Sequence, residues 1–331
     1  PDLAGRGLVS AYVALTKPRV ISLLLFTTMT SAVAADGGWP GIVPMVALFV
    51  GGYLSAGAAN AINMVVDRDI DLSMTRTATR PTVTQSISSP AALRFAFGCA
   101  ALSFALLWAG CNLLTAALAL SGLVFYVSVY TLFLKRRTWH NIVIGGAAGA
   151  VPPLVGWAGV ANALPPLALY LFAIVFVWTP VHFWALALLL KDDYAAAGVP
   201  MLPVVKGDRA TVVQIALYTA VTVVVTLIPF ALPGVGWIYL ACAIALNAIL
   251  VHLAARLFRR IDRPRASGLF HYSMLYLALL FLFLAVDRTV VTRAKRDGLP
   301  VSSRAVGSVR QDRQGIVMHA QSRPAPNGAI L

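Results

Sequence analysis

Charge is scarce in this chain: Asp, Glu, Lys and Arg make up 11% of 331 residues, against 59% hydrophobic side chains and a mean hydropathy of +0.81. A soluble globular enzyme carries about a quarter charged residues, so that class is excluded. Negative charge is scarcer still, with 12 acidic residues facing 26 Lys and Arg for a formal net charge of +14. No basic stripe interleaved with aromatics accompanies the excess, which argues against a nucleic-acid partner. Cysteine is nearly missing: Cys99, Cys111 and Cys242 stand in or beside apolar runs with no CxxC spacing. They read as packing residues, and neither a disulfide framework nor a thiolate zinc site is implied.

What is abundant is apolar sequence in runs of bilayer length. Such runs occupy about 18–36, 42–66, 91–110, 113–133, 140–160, 164–190, 211–232, 235–257 and 268–291, and predict an all-α polytopic membrane protein with nine transmembrane helices. Lys and Arg collect in alternate loops, the pattern that marks the cytoplasmic side. Lys17 and Arg19 precede the first run, Arg68, Arg76 and Arg80 follow the second, and Lys135, Arg136 and Arg137 follow the fourth. Lys191, Lys206 and Arg209 follow the sixth run, and five arginines between 256 and 265 follow the eighth. The turns at 36–41, 110–112 and 159–163 have no Lys or Arg. The amino terminus is therefore expected in the cytoplasm. Few residues precede the first run, too few for an Arg- and Ser-rich transit peptide, so direct insertion into a bacterial inner membrane is expected. An odd helix count places residues 292–331 outside although they are basic, and late charges influence topology weakly. This segment is polar with no apolar period and reads as a disordered tail following a membrane domain of residues 1–291.

The most informative stretch is NMVVDRDIDLSMTRTATRP at 63–81, which sets three aspartates and three arginines against the end of an apolar run. Asn63, Asp67 and Asp71 are successive i, i+4 neighbours on one helical face. An amide oxygen and two carboxylates in a row suit Mg²⁺, a hard cation that shares its shell with substrate phosphates. Arg76 and Arg80 are spaced to reach phosphate oxygens. By the loop charges, two further clusters share that membrane face: Tyr130 with Lys135, Arg136 and Arg137, and Lys191, Asp192 and Asp193. Carboxylates, Mg²⁺ and cations at one surface describe a diphosphate clamp. The GGAAG at 145–149 between these clusters reads first as close helix packing.

A second polar spot lies inside an apolar run: Trp178, Thr179, Pro180, Val181, His182, Phe183, Trp184. An intramembrane histidine needs a polar partner. Haem iron, a haem propionate and an interhelical hydrogen bond all qualify. Trp178, Phe183 and Trp184 suit an acyl-chain groove, cation–π shielding of a carbocation, or interfacial anchoring.

Together these residues resemble the UbiA-type intramembrane prenyltransferases over about residues 15–288. The most specific parts of the resemblance are TKPR at 16–19, the stretch at 63–81, LKRRTWHNIVIGGAAGAVPP at 134–153, WTPVHFWALAL at 178–188 and DDYAAAGVPMLPVV at 192–205. Of these, MTRTATRP at 74–81, WTPVHFW at 178–184 and AGVPMLPVV at 197–205 point to the haem-modifying branch. The resemblance implies nine helices in a ring around a central cavity opening to the cytoplasm. Asn63, Asp67 and Asp71 match the first metal–diphosphate motif. The second departs from the DxxxD of many relatives, since Asp192 and Asp193 are adjacent and position 196 is Ala196.

The implied reaction transfers the farnesyl group of farnesyl diphosphate to a vinyl group of haem B, with water added, giving haem O and diphosphate. It assigns Asp67, Asp71, Arg76, Arg80 and Lys135 to catalysis. Asn63, Tyr130, Arg136, Trp178, His182, Phe183, Trp184, Lys191, Asp192 and Asp193 would bind substrate. Haem A synthase or terminal oxidase assembly factors are the implied partners. A quinone-precursor or chlorophyll-type acceptor is the nearest alternative. A transporter is disfavoured because the charges gather at a rim and the halves show no duplication.

Overall fold

The structure, a computed structural model, describes residues 7–298. Among the described residues there is no strand. Thirteen helices follow in order: α1 (Leu8–Thr16), α2 (Pro18–Asp36), α3 (Ile42–Val66), α4 (Arg68–Leu72), α5 (Ser89–Gly110) and α6 (Leu113–Phe125), which continues as a π-helical segment, Tyr126–Leu134. Then come α7 (Asn141–Ala161), α8 (Pro166–Leu189), α9 (Lys191–Ala196), α10 (Leu202–Val205), α11 (Gly207–Leu227), α12 (Trp237–Arg259) and α13 (Arg263–Arg296). Nine spans among the described residues are long and apolar enough to cross a membrane, namely α2, α3, α5, α6 with its π segment, α7, α8, α11 with the following turn, α12 and α13.

Hydropathy located the spans, but caps set their ends. Asn112 starts α6 by accepting the Thr115 amide at 2.9 Å, an N-cap that satisfies a free helix donor. Asp262 caps α13 through the Arg265 amide at 3.0 Å, so this helix starts five residues before its apolar run. It also ends five residues beyond 291, at Arg296. Arg and Lys end an apolar run without ending a helix, because both are good helix formers. The segment expected to be tail thus begins as helix: a Cβ on Gly37 would lie 2.3 Å from Thr292 Oγ1. The rest of that segment, from 299, lies outside the described residues.

Helix α1 was not expected. It packs Ala11 and Leu15 against Ala58, Ala61 and Ile62 of α3. Lys17, left-handed at φ 55°, breaks the chain between α1 and α2, and Pro18 opens the next helix, where its missing N–H costs nothing.

The spans close a ring: each packs on the next in sequence, and α13 returns to α2. The largest contacts across it are α2 with α7 and α8 with α13, and α3 also meets α6 and α7; α7 and α8 are the most buried spans. Antiparallel order gathers Lys17, the α3–α4 junction, the end of the π segment, α9 and the α12–α13 turn at one end. At the other end Asp287 of α13 accepts the amides of Gly236, Ile238 and Tyr239 at 2.5–3.2 Å. Arg288 beside it donates to the carbonyls of Ala34 and Gly234.

Candidate functional site

The helical ladder of α3 runs on through Asp67 into α4. The Asp67 amide donates to Asn63 O at 2.9 Å and the Asp71 amide to Asp67 O at 2.8 Å. The i, i+4 face therefore survives the junction, and Asn63, Asp67 and Asp71 are 3%, 0% and 2% exposed. Asp69, off that face, keeps its side chain 66% exposed. Two carboxylates without water demand partners, since the effective penalty is several kcal/mol per ion.

Three elements bring cations to them. Lys135, where the π segment ends, donates to Asp67 Oδ2. Arg80, from the turns after α4, donates to Asp71 Oδ2 at 2.5 Å. Lys17 reaches in from the α1–α2 break and donates to Asn63 Oδ1 at 3.0 Å. Asn63 in turn donates to Asp67 Oδ2 at 2.6 Å and to Thr131 of the π segment at 3.3 Å. Burial above all, then the charges of Arg80 and Lys135, lowers the Lys17 pKa to about 7. Three cations around two carboxylates leave a site that favours added negative charge. Arg136 forms a two-pronged pair with Asp69 at 2.7 Å per contact, and one prong also meets Val66 O at 3.0 Å. It forms a rim over Asp67, 3.9 Å from Oδ1. This pairing is the leading cause that holds the Asp69 carboxyl below its usual pKa.

Asp67 Oδ1 is buried and accepts no hydrogen bond among the described residues, a vacancy of the kind a metal ligand leaves. The donor set, two carboxylates and an amide, fits Mg²⁺ chemistry. Asn63 Oδ1 is engaged by Lys17, so the two aspartates are its readier ligands. No group of three His, Cys, Asp or Glu side chains converges anywhere among the described residues, so at this site the two aspartates would share the ion with the amide and substrate oxygens.

The second acidic cluster is arranged differently. Asp192 is exposed and Asp193 half-buried on α9, while Lys191 turns away to Asp208 at 2.8 Å. Arg76 is exposed and makes no ion pair or hydrogen bond among the described residues. The residue that links this loop to the first is Tyr194: burial first raises its pKa, and Arg76, Arg80 and Asp193 are its charged neighbours. Tyr194, Lys17 and Asn141 were missed from sequence. Asn141 is fully buried and donates to the Lys135 carbonyl at 3.3 Å. Tyr130 lies flat against α7: a Cβ on Gly145 would sit 2.3 Å from its ring, and one on Gly146 would sit 2.9 Å from Thr179. Both glycines serve close packing, as expected.

His182 has an interhelical partner. Its Nδ1 lies 2.8 Å from Ser273 Oγ of α13, and that hydroxyl donates to Phe270 O at 2.7 Å. With its proton spent there, Ser273 accepts from Nδ1–H, and Nε2 keeps a lone pair. The imidazole is stacked between Trp178, at 4.6 Å, and Phe270, at 4.7 Å. Trp178 also donates to Ser273 O at 2.9 Å. Phe183 meets the ring edge-on at 5.4 Å. Trp184 does not join them; it is fully buried against Tyr218 of α11.

The UbiA prenyltransferase family matches residues 24–286. A protoheme IX farnesyltransferase of Thermus thermophilus is 64% identical over 84% of this chain. The chain spans 46% of that relative's length, about half. One of Deinococcus radiodurans is 53% identical, with 85% of this chain and 94% of the relative aligned. In fold, the chain resembles a solved digeranylgeranylglyceryl phosphate synthase, with TM-score 0.71, 16% identity and 86% and 99% of the two chains covered. It also resembles an Archaeoglobus fulgidus UbiA homologue bound to DMAPP and Mg²⁺, with TM-score 0.61, 18% identity and 83% and 99% covered. This chain belongs to the UbiA prenyltransferase family.

Proposed function

We propose that this protein transfers the farnesyl group of farnesyl diphosphate to a vinyl group of haem B, with water added, releasing haem O and diphosphate. The observation that carries the reading is the buried Asp67–Asp71 pair ringed by Lys17, Arg80 and Lys135, with one Asp67 oxygen accepting no hydrogen bond. The farnesyl and haem identities rest on the relatives' names.

Asp67 and Asp71 would hold Mg²⁺, with Asn63 beside them. When bound, Mg²⁺ neutralises charge on the leaving diphosphate. Lys17, Arg80 and Lys135 present N–H donors where that charge develops, and Arg136 closes the rim. Tyr130, packed on Gly145 of α7, would border the prenyl chain. The ring edges of the Trp178, His182 and Phe270 stack form one face, carrying the His182 Nε2 lone pair, that would meet the haem. Phe183 borders that face, Arg76, Asp192 and Asp193 lie on the diphosphate rim, and Lys191 and Trp184 have structural roles. The reading places this end in the cytoplasm of a bacterial plasma membrane, with a cavity opening there. It places the prenyltransferase domain before a basic tail, and its product is suited to haem A synthase or oxidase assembly.

The test is purified protein with haem B, farnesyl diphosphate and Mg²⁺, followed by mass analysis of the porphyrin. A farnesyl-plus-water mass increase is expected. Asp67→Ala and Asp71→Ala should each reduce it at least a hundredfold, on the order of a lost charged contact of about 3 kcal/mol, and Asp69→Ala far less. Prenylation of a quinone precursor with haem B untouched would replace the acceptor, and an undamaged Asp67→Ala enzyme would refute the site.

A further inference from the structure

Outside the acid–base cluster, the described residues carry one strongly basic concavity. At the same end of the bundle, where α12 gives way to α13, a cleft of about 290 Å³ is lined by Arg256, Arg260, Arg265, Asp262, Leu253 and Gly268, among others. Its three guanidiniums face one carboxylate. Asp262 is shared by Arg265 and, at 3.4 Å, Arg260. The exposed side chain of Arg256 has no ion-pair or hydrogen-bond partner among the described residues. The cleft is therefore cationic and incompletely paired.

Its position gives it a second character. On α12, Ile249, Leu253, Arg256 and Arg260 recur at spacings of four, three and four, one helical face. On α13, Gly268 and Leu275 share a face in the same way. Ile249 and Leu275 are 46% and 53% exposed, so an apolar trough leads from the arginines along the span. Phe270, two residues from Gly268 and so on the far side of α13, points inward to His182. The cleft therefore opens outward.

We infer that this cleft binds the phosphate headgroup of an anionic phospholipid, whose acyl chain lies in the trough below. Basic pockets between transmembrane helices at the membrane surface hold such headgroups, and guanidinium grips phosphate by paired donors. The apolar trough favours a lipid over a free anion, and the net cationic charge favours an anionic lipid over a zwitterionic one.

The test is native mass spectrometry of the full chain in detergent, titrated separately with dioleoylphosphatidylglycerol and dioleoylphosphatidylcholine. Phosphatidylglycerol should bind first and more tightly. R256Q removes no internal contact, so it separates binding from folding and should weaken that first site about fivefold. R256Q/R260Q should weaken it about 25-fold by the same scale. R259Q/R263Q removes equal charge from residues that do not line the cleft and should change binding less than about twofold. Equal binding of the two lipids, unchanged binding in R256Q, or an equal loss in R259Q/R263Q would overturn the site. Displacement by inorganic phosphate at the lipid's own concentration would make it a free-anion site and overturn the lipid assignment.

Discussion

Lys17 shows how far a single side chain can depart from what its neighbours in sequence suggest. A lysine before an apolar run reads as a topology signal, yet this one turns inward at φ 55° and bonds Asn63. No spacing rule reveals it, because the left-handed break between α1 and α2 is set by tertiary packing. The Asp67–Asp71 face, by contrast, was legible from i, i+4 spacing, and Arg80 and Lys135 from their approach to it. Trp178 and Trp184 fall between these cases. Position 178 shares a helical face with 182 while 184 does not, but only the structure shows which face meets α13 and which meets α11. Lys17→Gly gives a clean test, because glycine tolerates positive φ and the fold should keep its thermal midpoint. Farnesyl diphosphate affinity should fall about tenfold to a hundredfold, matching one charge-assisted hydrogen bond of about 1.5–3 kcal/mol. Isothermal titration of the variant checks this, and an unchanged Kd would return Lys17 to a topology role.

The π segment is the element that hydropathy hides. Residues 113–133 read as one apolar helix, but from Tyr126 the ladder shifts register, with the Lys135 amide reaching Tyr130 O at 2.9 Å. Such segments are uncommon and frequent at functional sites. Here the wider turn sets Thr131 against Asn63, Tyr130 against Gly145, and Lys135 over Asp67. Periodicity finds apolar content and is blind to a register that depends on a neighbouring helix. Gly145→Ala tests the coupling. A methyl 2.3 Å from the Tyr130 ring has no room, and overpacking of this kind costs about 1–3 kcal/mol. The variant should insert normally, melt at lower temperature, and bind diphosphate more weakly because Lys135 is displaced with its helix. Gly149→Ala, where a Cβ meets nothing within 4 Å, should match wild type in both measurements.

At the scale of the whole molecule the two ends of the ring do different work. One end concentrates buried charge whose partners are incomplete, with an Asp67 oxygen that accepts no hydrogen bond and an ammonium crowded by other cations. The other end is closed: Asp287 satisfies three amides at the start of α12, and Arg288 ties α13 to α2 and to the turn before α12. This latch lies where the ring closes, and no local pattern reveals it, since the partners of Asp287 lie about fifty positions away. Asp287→Ala orphans those amides and leaves the acid–base cluster intact. Each unsatisfied buried donor costs about 1–3 kcal/mol, so the thermal midpoint in detergent should fall clearly. Prenyl-transfer rate per folded molecule, measured at low temperature, should stay near wild type. Asp67→Ala should lose the rate as well as lower the midpoint, because it leaves Lys135 buried without its counter-charge beside Lys17 and Arg80. If Asp287→Ala lowered the rate without lowering the midpoint, the two ends would be coupled and the division of labour proposed for the ring would fail.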